Sequence, residues 1–164
     1  MPITKNDLKY LKIIDKMEPK AKCLRAKIAA CIVKDGKVLV KHCNDWHPEY
    51  DCRKIGCIRN KMKLKSGTRR EICYGICAEQ WCFAIASKKN INIKGATIYI
   101  TKHPCRVCSS IIAESGIKRV VFQEGYPEVL PHFDILKDRG IKVEQGPNII
   151  YPKSAKPALK KWAV

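Results

Sequence analysis

The spacing of hydrophobic positions predicts an alternation of strands and helices along most of the chain. A helix is expected to begin after Thr4, because Leu8 and Leu11 follow at helical spacing behind a capping sequence. The turn sequence Asp35-Gly36 lies between two β-rich runs and predicts a hairpin. In chain order, the predicted segments are the strands 28–33 and 37–41, the helix 76–87, the strand 96–101, the helix 105–114, the strand 118–123, a weak helix 133–138 and a short strand 141–144. Strands that alternate with helices imply an α/β sheet covered on both faces.

Two stretches of the chain lack hydrophobic periodicity. Between His42 and Cys73 the sequence is rich in Cys, Lys, Arg and Gly, and a loop of this length without regular structure indicates a function or a metal clip. After Gly146-Pro147 the sequence is irregular. We therefore expect a single domain over residues 1–147, with a basic cysteine-rich insertion at about 43–73, followed by a basic C-terminal tail at 148–164.

The composition agrees with one globular domain. A chain of 164 residues, 46% of them hydrophobic, is long enough for one core and too short for two comfortable ones. No apolar run approaches the length that spans a bilayer, and the first residues lack the apolar stretch of a signal peptide. Without an export signal, the ten cysteines are expected to be thiols or metal ligands. We therefore expect a cytoplasmic protein without a membrane partner.

The formal net charge of +18 is high for a chain of this size and predicts attraction to polyanions. The segment Arg53 to Arg70 holds eight basic residues and no acid, and the tail adds four lysines together with Trp162. These charges indicate nucleic acid as a possible partner. The alternative is a general lysine bias that gives solvated surfaces, which is the usual explanation of charge runs, and a phosphorylated small molecule needs only two or three of these charges.

Two short motifs carry the strongest chemical signal. Cys77 and Glu79 lie in the sequence Cys-Ala-Glu, and Cys105 and Cys108 lie in Pro-Cys-Arg-Val-Cys. Three thiols can hold a catalytic zinc ion and leave its fourth position to water, while a carboxylate that is not a ligand moves the proton. A structural zinc knuckle or reduced core cysteines are the alternatives. Both motifs begin predicted helices, where free backbone N–H groups favour anions.

An all-thiolate site has a charge problem. Three thiolates around a divalent ion give a formal charge of −1, which weakens the Lewis acidity of zinc unless positive groups compensate. Arg106, between the two downstream thiols, is the expected compensating residue. The alternative is that Arg106 is a solvent-facing helix residue.

Several segments of the chain resemble the cytidine deaminase superfamily and, more narrowly, the deoxycytidylate (dCMP) deaminase family. The resemblance runs from about Cys23 to Phe122. The matching segments are Cys23-Leu24-Arg25, Ala29 to Gly36, Gly56-Cys57-Ile58-Arg59, Ser66-Gly67, Glu71-Ile72-Cys73, Cys77-Ala78-Glu79-Gln80, Tyr99-Ile100-Thr101, Pro104 to Cys108 and Gly116 to Val121.

The resemblance implies a fold, a reaction and a set of site residues. The fold is a cytidine deaminase-like three-layer α/β/α sandwich with a mixed central sheet. The reaction is zinc-dependent hydrolysis at C4 of cytosine. Cys77, Cys105 and Cys108 would be the zinc ligands, Glu79 would protonate N3 and pass a proton to the departing ammonia, and Asn44 would contact the sugar. Two features depart from this branch of the superfamily: its first ligand is normally His, and its usual Gly-Tyr-Asn-Gly is here His-Cys-Asn-Asp.

A second group of thiols lies in the basic insertion. Some dCMP deaminases carry a second, structural zinc ion in this region, and structural zinc sites are typically closed by four ligands. The resemblance therefore implies a second zinc site formed by Cys52, Cys57 and Cys73, with His47 or Cys43 as the fourth ligand. A metal would also explain how a segment with so few apolar residues stays ordered. Free thiols are the alternative.

Three functions follow from these observations. The first is deamination of dCMP to dUMP and ammonia. The enzyme would be a homo-oligomer, because members of the superfamily commonly form oligomers. The second is a cytosine deaminase acting on RNA or single-stranded DNA, which would use the basic insertion and tail as an electrostatic track. The third is a nucleic-acid-binding zinc protein with a vestigial site, and the intact Glu79 argues against it.

Overall fold

The computed structural model describes residues 3–65, 68–125 and 134–147. The helices are α1 (Lys5–Met17), α2 (Cys52–Ile55), α3 (Ile58–Lys61), α4 (Ala78–Lys88), α5 (Arg106–Glu114) and α6 (Ile135–Asp138). The strands are β1 (Ala29–Lys34), β2 (Lys37–Cys43), β3 (Asp45–Trp46), β4 (Gly75–Ile76), β5 (Thr97–Lys102), β6 (Arg119–Glu124) and β7 (Lys142–Gln145). Short 3₁₀ turns cover Glu18–Lys20, Pro48–Tyr50 and Arg70–Ile72.

Five of the strands form one mixed sheet in the order β2-β1-β5-β6-β7. β1 pairs antiparallel with both β2 and β5, whereas β6 is parallel to β5 and to β7. In the chain, α5 lies between the first of these parallel pairs and α6 between the second, as parallel strands require a crossover. β3 and β4 form a separate two-stranded ribbon. The mixed sheet confirms the expected fold class.

The hairpin between β1 and β2 forms at the predicted turn. Asp35 and Gly36 both have positive φ angles, 49° and 73°. A two-residue turn with both central residues in this region matches the right-handed twist of the flanking strands, and Gly adopts it without strain. The hydroxyl of Tyr10 donates to the Gly36 carbonyl at 2.8 Å and ties the turn to α1.

Side chains that alternate along β1 divide the core into two layers. Ala29, Cys31 and Val33 pack with α1 on one face, and Ala30 and Ile32 pack on the other face in a cluster that includes residues of α4, α5 and α6. Alternate residues of a strand point to opposite faces, so a strand buried on both faces is apolar at successive positions. The sheet is therefore the middle layer of an α/β/α sandwich, as expected. Among the helices of the described ranges, none is both long and apolar enough to span a bilayer.

The predicted elements outside the aperiodic stretch are found with boundaries shifted by one or two residues. Within 42–73, the expectation of no regular structure is wrong, because β2 continues to Cys43 and the short helices α2 and α3 follow. Helices of four residues are too short to show a hydrophobic period. A local cap stabilises α2, since the Asp51 side chain accepts from the Arg53 N–H at 2.9 Å. Residue 133 of the predicted helix, Ser66-Gly67 and the tail 148–164 lie outside the described residues, so the domain boundary stays a prediction.

Asp7 connects α1 to the strands β5 and β6. Its side chain is only 2% exposed and caps the helix by accepting from the Thr4 N–H at 2.7 Å. It also accepts from the Tyr99 hydroxyl at 2.6 Å and from two nitrogens of Arg119 at 2.6 and 3.0 Å. Burial disfavours the ionised form, but the hydrogen bonds from Arg119, Tyr99 and Thr4 outweigh it and lower the pKa of Asp7 well below its usual value.

The substitution D7N should therefore destabilise the protein in a pH-dependent way. At neutral pH we expect a loss of about 3 kcal/mol in the free energy of unfolding, the cost of removing one partner from a buried ion pair. A carboxylate whose pKa is lowered by folding stabilises the protein fully above its unfolded pKa of about 3.9, and it loses this contribution gradually as the pH falls towards the lower pKa of the folded state. Urea denaturation of D7N and wild type at pH 7 and pH 3 should show the difference shrinking at low pH. D138N, at an exposed acid of α6, is the control, and a difference independent of pH would contradict the assignment.

Candidate active site

The starts of two helices bring three thiols together. Cys77 is the N-cap residue of α4, which packs against β1 and β2, and Cys105 is the N-cap residue of α5, which follows the C-terminal end of β5. Cys108 lies in the first turn of α5. The three sulfurs all lie within 4.8 Å of one another, and the three residues are between 0% and 9% exposed. The arrangement agrees with the prediction that both motifs begin helices and share one site.

The chemistry of this thiol group fits a zinc ion. Cys108 and Cys77 donate hydrogen bonds to the Cys105 sulfur, which lowers the pKa of Cys105 to about 2. The pKa of Cys108 is raised, since its ionisation would break the hydrogen bond to Cys105. Deprotonated thiolates are the form that binds metal, and closely spaced thiolates favour zinc among the common ions. The three thiols can therefore serve as protein ligands and leave one position of a tetrahedral ion open.

Glu79 lies two residues into α4, beside the thiols. The residue is 3% exposed, and its Oε2 atom has no hydrogen-bond partner among the described residues. Burial raises the pKa of Glu79 to about 7, and a hydrogen bond from Cys108 acts in the opposite direction. A carboxyl group with this pKa can take up and release a proton near neutral pH. Its position fits the predicted role of proton carrier.

Arg70 contacts the first thiol, which the sequence pattern did not predict. Its Nη2 atom donates to the Cys77 sulfur at 2.6 Å. Arg106, the expected source of positive charge, lies exposed on α5 and fits the solvent-facing alternative. Arg70 begins the 3₁₀ turn Arg70–Ile72, inside the aperiodic insertion, so no hydrophobic period or motif spacing marks it.

The cysteines of the insertion line a separate small cavity. This cavity has a volume of about 30 Å³, and its walls include Cys23, Cys52, Cys57 and Cys73. Burial raises the pKa of Cys52, and the neighbouring thiols Cys57, Cys73 and Cys23 raise it further. The sequence does not assign Cys23 to this group, because Cys23 lies before β1, far along the chain from the insertion. In the described ranges only Cys77, Cys105 and Cys108 form a group with all ligand atoms within 4.8 Å, so these four sulfurs are more widely spread.

The two residues predicted as the fourth ligand of this second group lie elsewhere. The His47 side chain is 52% exposed, and its Nδ1 atom is 3.8 Å from Glu49. The Cys43 thiol donates to the Met17 carbonyl at 3.2 Å. Neither residue is part of the cavity wall, whereas Cys23 is.

Asn44, predicted to contact a sugar, orders the chain just before β1. Its Oδ1 accepts from the Ile28 N–H at 3.0 Å and its Nδ2 donates to the Ala26 carbonyl at 2.7 Å. The residue is 8% exposed and lines the same small cavity as the insertion cysteines. The amide can make further hydrogen bonds beyond these two, so the sugar contact stays a prediction.

A three-layer α/β/α sandwich with three thiols and a buried carboxyl at two helix N-termini defines a zinc-binding deaminase domain. The family model for the cytidine and deoxycytidylate deaminase zinc-binding region matches residues 4–124. The chain belongs to this family, and the expectation drawn from the motifs is confirmed.

Individual relatives agree with the family. The deoxycytidylate deaminase of Mycobacterium phage D29 is 31% identical over 119 residues, which cover 69% of this chain and 90% of that protein. The deoxycytidylate deaminase of Enterobacteria phage T2 is 40% identical over 73 residues, 44% of this chain and 39% of that protein. The matched part of the chain thus spans less than half the length of the T2 relative. The structure of dCMP deaminase from the cyanophage S-TIM5 in complex with dCMP and dUMP superposes with a TM-score of 0.69 at 25% identity, over 87% of this chain and 99% of that one.

Substitution of the thiols should remove zinc. We expect C77S, C105S and C108S each to lower the zinc content of the purified protein by one ion per chain, because a catalytic zinc site with two thiolates left binds too weakly to survive purification. Elemental analysis by mass spectrometry measures this content. The control is C31A, which alters a buried cysteine on the α1 face of the sheet. Unchanged zinc in both C105S and C108S would contradict the ligand assignment.

Proposed function

We propose that this chain is a zinc-dependent deaminase of cytosine nucleotides, with dCMP as its substrate and dUMP and ammonia as its products. The observation that carries the proposal is the Glu79 carboxyl, which is buried, has a pKa near 7 and lies beside three thiols suited to zinc. The reaction class rests on the family. The choice of dCMP is supported by the phage relatives named deoxycytidylate deaminase and by the S-TIM5 structure, which holds dCMP and dUMP.

The proposed mechanism divides the work between the metal and Glu79. Cys77, Cys105 and Cys108 would hold the zinc ion, which supplies Lewis acidity that makes water a nucleophile at neutral pH. Glu79 accepts a proton from the attacking water and delivers it to N3 of the pyrimidine. It then carries the remaining hydroxyl proton to the amino group as the C4–N bond breaks. One water enters, and one ammonia leaves with the exocyclic nitrogen.

The surroundings of Glu79 suit this role. A carboxyl with a pKa near the working pH is both an effective base and an effective acid. Exclusion of water from the site, where Glu79 and Cys108 are 3% and 0% exposed, strengthens every charge interaction there. The Oε2 atom, which has no hydrogen-bond partner among the described residues, offers an acceptor for the incoming proton.

The alternative of a polynucleotide deaminase is not favoured. Several basic side chains of the insertion bind within the chain: Arg53 pairs with Asp51 at 2.7 Å, and Arg59 donates to the Lys65 carbonyl at 3.1 Å. Such groups stabilise the insertion itself. The lysines of the tail lie outside the described residues and carry no argument for either function.

Two further properties are part of the proposal. All ten cysteines are free thiols, which supports a reducing compartment such as the cytoplasm. Val107 and Ile111 are 49% and 37% exposed and lie four residues apart on α5, so they form an apolar strip. We keep a homo-oligomer as the expected assembly.

A substrate panel tests the leading function. Ammonia release should be fastest with dCMP among dCMP, CMP, deoxycytidine, cytidine, dCTP and single-stranded oligonucleotides. E79Q should lower turnover of dCMP by at least about a hundredfold, because general acid–base catalysis commonly contributes this factor or more, and should keep its zinc. The control is E114Q, at an exposed carboxyl in the last turn of α5. Turnover of oligonucleotides alone would contradict the proposed substrate, and loss of zinc from E79Q would contradict the role of Glu79.

We also propose that the insertion holds a second, structural zinc ion, with Cys23 in place of His47 as the fourth ligand. The support is the small cavity whose wall contains Cys23, Cys52, Cys57 and Cys73, a complete four-thiol set for a closed site. The four cysteine side chains would move towards one another as the metal binds.

Zinc analysis of C23S and H47A separates the two ligand sets. C23S should lose the second zinc ion and unfold at a lower temperature, because metal binding contributes directly to folding. H47A should keep both. A wild-type protein that carries a single zinc ion when purified and dialysed against excess zinc would contradict the second site. Loss of the second zinc ion from H47A but not from C23S would instead favour His47 as the fourth ligand.

A further inference from the structure

Arg70 is a basic side chain that contacts one of the three thiols of the site. Its Nη2 atom lies 2.6 Å from the sulfur of Cys77. The contact is removed from bulk water, since Cys77 is 5% exposed. A full positive charge therefore lies directly beside one of the three thiols of the site.

The thiol set explains why the site needs such a group. Three thiolates and one divalent cation leave a formal charge of −1 at a place that is nearly closed to solvent, and an unpaired buried charge is costly. The N-termini of α4 and α5 supply partial positive charge, equivalent to roughly half a unit each and shared over several groups. A guanidinium that donates to a sulfur supplies a full unit, and it also draws electron density from that ligand.

The insertion is what holds Arg70 in place. Arg70 begins the 3₁₀ turn that ends just before Cys73. Arg70 and Cys73 both line the small cavity that Cys23 and Cys52 also line. The chain then passes through the strand β4 directly to Cys77. The thiol-lined cavity therefore lies against the segment that carries the guanidinium, so that the cysteines of the insertion and the zinc-binding thiols are joined through one side chain.

We propose that Arg70 is a positioning residue of the zinc site, presented by the cysteine-rich insertion to donate to the Cys77 sulfur and to compensate the negative charge of the three thiolates. Its effect on turnover rests on the proposed deaminase function. Its effect on the metal site does not. Arg70 thus has a role that neither the zinc motif nor the net charge of the chain indicates.

Cobalt substitution and metal release provide the test. R70Q removes the charge, and R69Q removes the same charge one residue earlier, at a side chain that is 56% exposed and paired with Glu71. In the Co²⁺-loaded protein, R70Q should move the sulfur-to-cobalt charge-transfer band to lower energy, because a sulfur without its hydrogen-bond donor gives up electrons more readily. The d–d bands should keep their tetrahedral pattern. R69Q should match wild type.

Zinc release to a chelator is the second readout. R70Q should lose zinc about tenfold faster or more, the size of effect expected for loss of a hydrogen bond to a charged group. R70M retains the length of the side chain and replaces R70Q if that variant fails to fold, and R70K, which keeps the charge, should restore part of the metal retention. A charge-transfer band and a release rate in R70Q and R70M equal to those of R69Q would overturn the proposal.

The kinetic effect distinguishes this proposal from the proposed function. With dCMP, R70Q should lower kcat and leave KM nearly unchanged, since Arg70 acts through a metal ligand. If wild type does not deaminate dCMP, the deaminase assignment fails while the spectroscopic and release measurements still decide the role of Arg70. If R70Q behaves as R69Q in those measurements, the role proposed for Arg70 is wrong, and turnover of dCMP by the wild type would still support the deaminase function.

Discussion

The meeting of two helix N-termini is the constraint on which the rest of the structure depends. Three sulfurs, one on α4 and two on α5, lie within 4.8 Å of one another, although a strand separates the two helices in the chain. The pairing of β1 with β5 sets this approach, because α4 packs on β1 and α5 follows β5. A slip of one residue in that pairing would exchange the two faces of a strand that is buried on both. Sheet register and metal chemistry are thus linked.

Two buried carboxyl groups, those of Asp7 and Glu79, have different roles because their surroundings shift their pKa values in opposite directions. Asp7 receives hydrogen bonds from Thr4, Tyr99 and Arg119, which hold it ionised and make it a permanent connection between helix and sheet. Glu79 is equally buried, yet its Oε2 atom lacks a hydrogen-bond partner in the described part of the chain, and its pKa rises to about 7. A fully satisfied carboxylate stabilises the fold, and an incompletely satisfied one is available for proton transfer.

The cationic insertion owes its order to polar contacts more than to a core. Arg25 donates to the Leu64 carbonyl at 2.6 Å, and Lys61 donates to the Ile55 carbonyl at 2.6 Å. Arg59, 4% exposed, donates to a third carbonyl. Backbone carbonyls that secondary structure leaves unpaired accept other donors, and in a segment with few apolar residues long cationic side chains provide them. Part of the positive charge of the sequence therefore belongs to side chains that hydrogen-bond within the fold.

The sequence by itself determined what is local. Hydrophobic periods predict the strands and helices of the sheet within one or two residues, because each period reflects one face of one element, and the motifs around Cys77 and Cys105 predict a shared zinc site with Glu79 beside it. Only the tertiary structure decided which distant groups join these residues. Arg70 reaches Cys77, and Cys23 joins the cysteines of the insertion, through segments that carry no hydrophobic period. Their placement follows from contacts with backbone carbonyls and from the folded path of the chain, and such interactions produce no periodic pattern in the sequence.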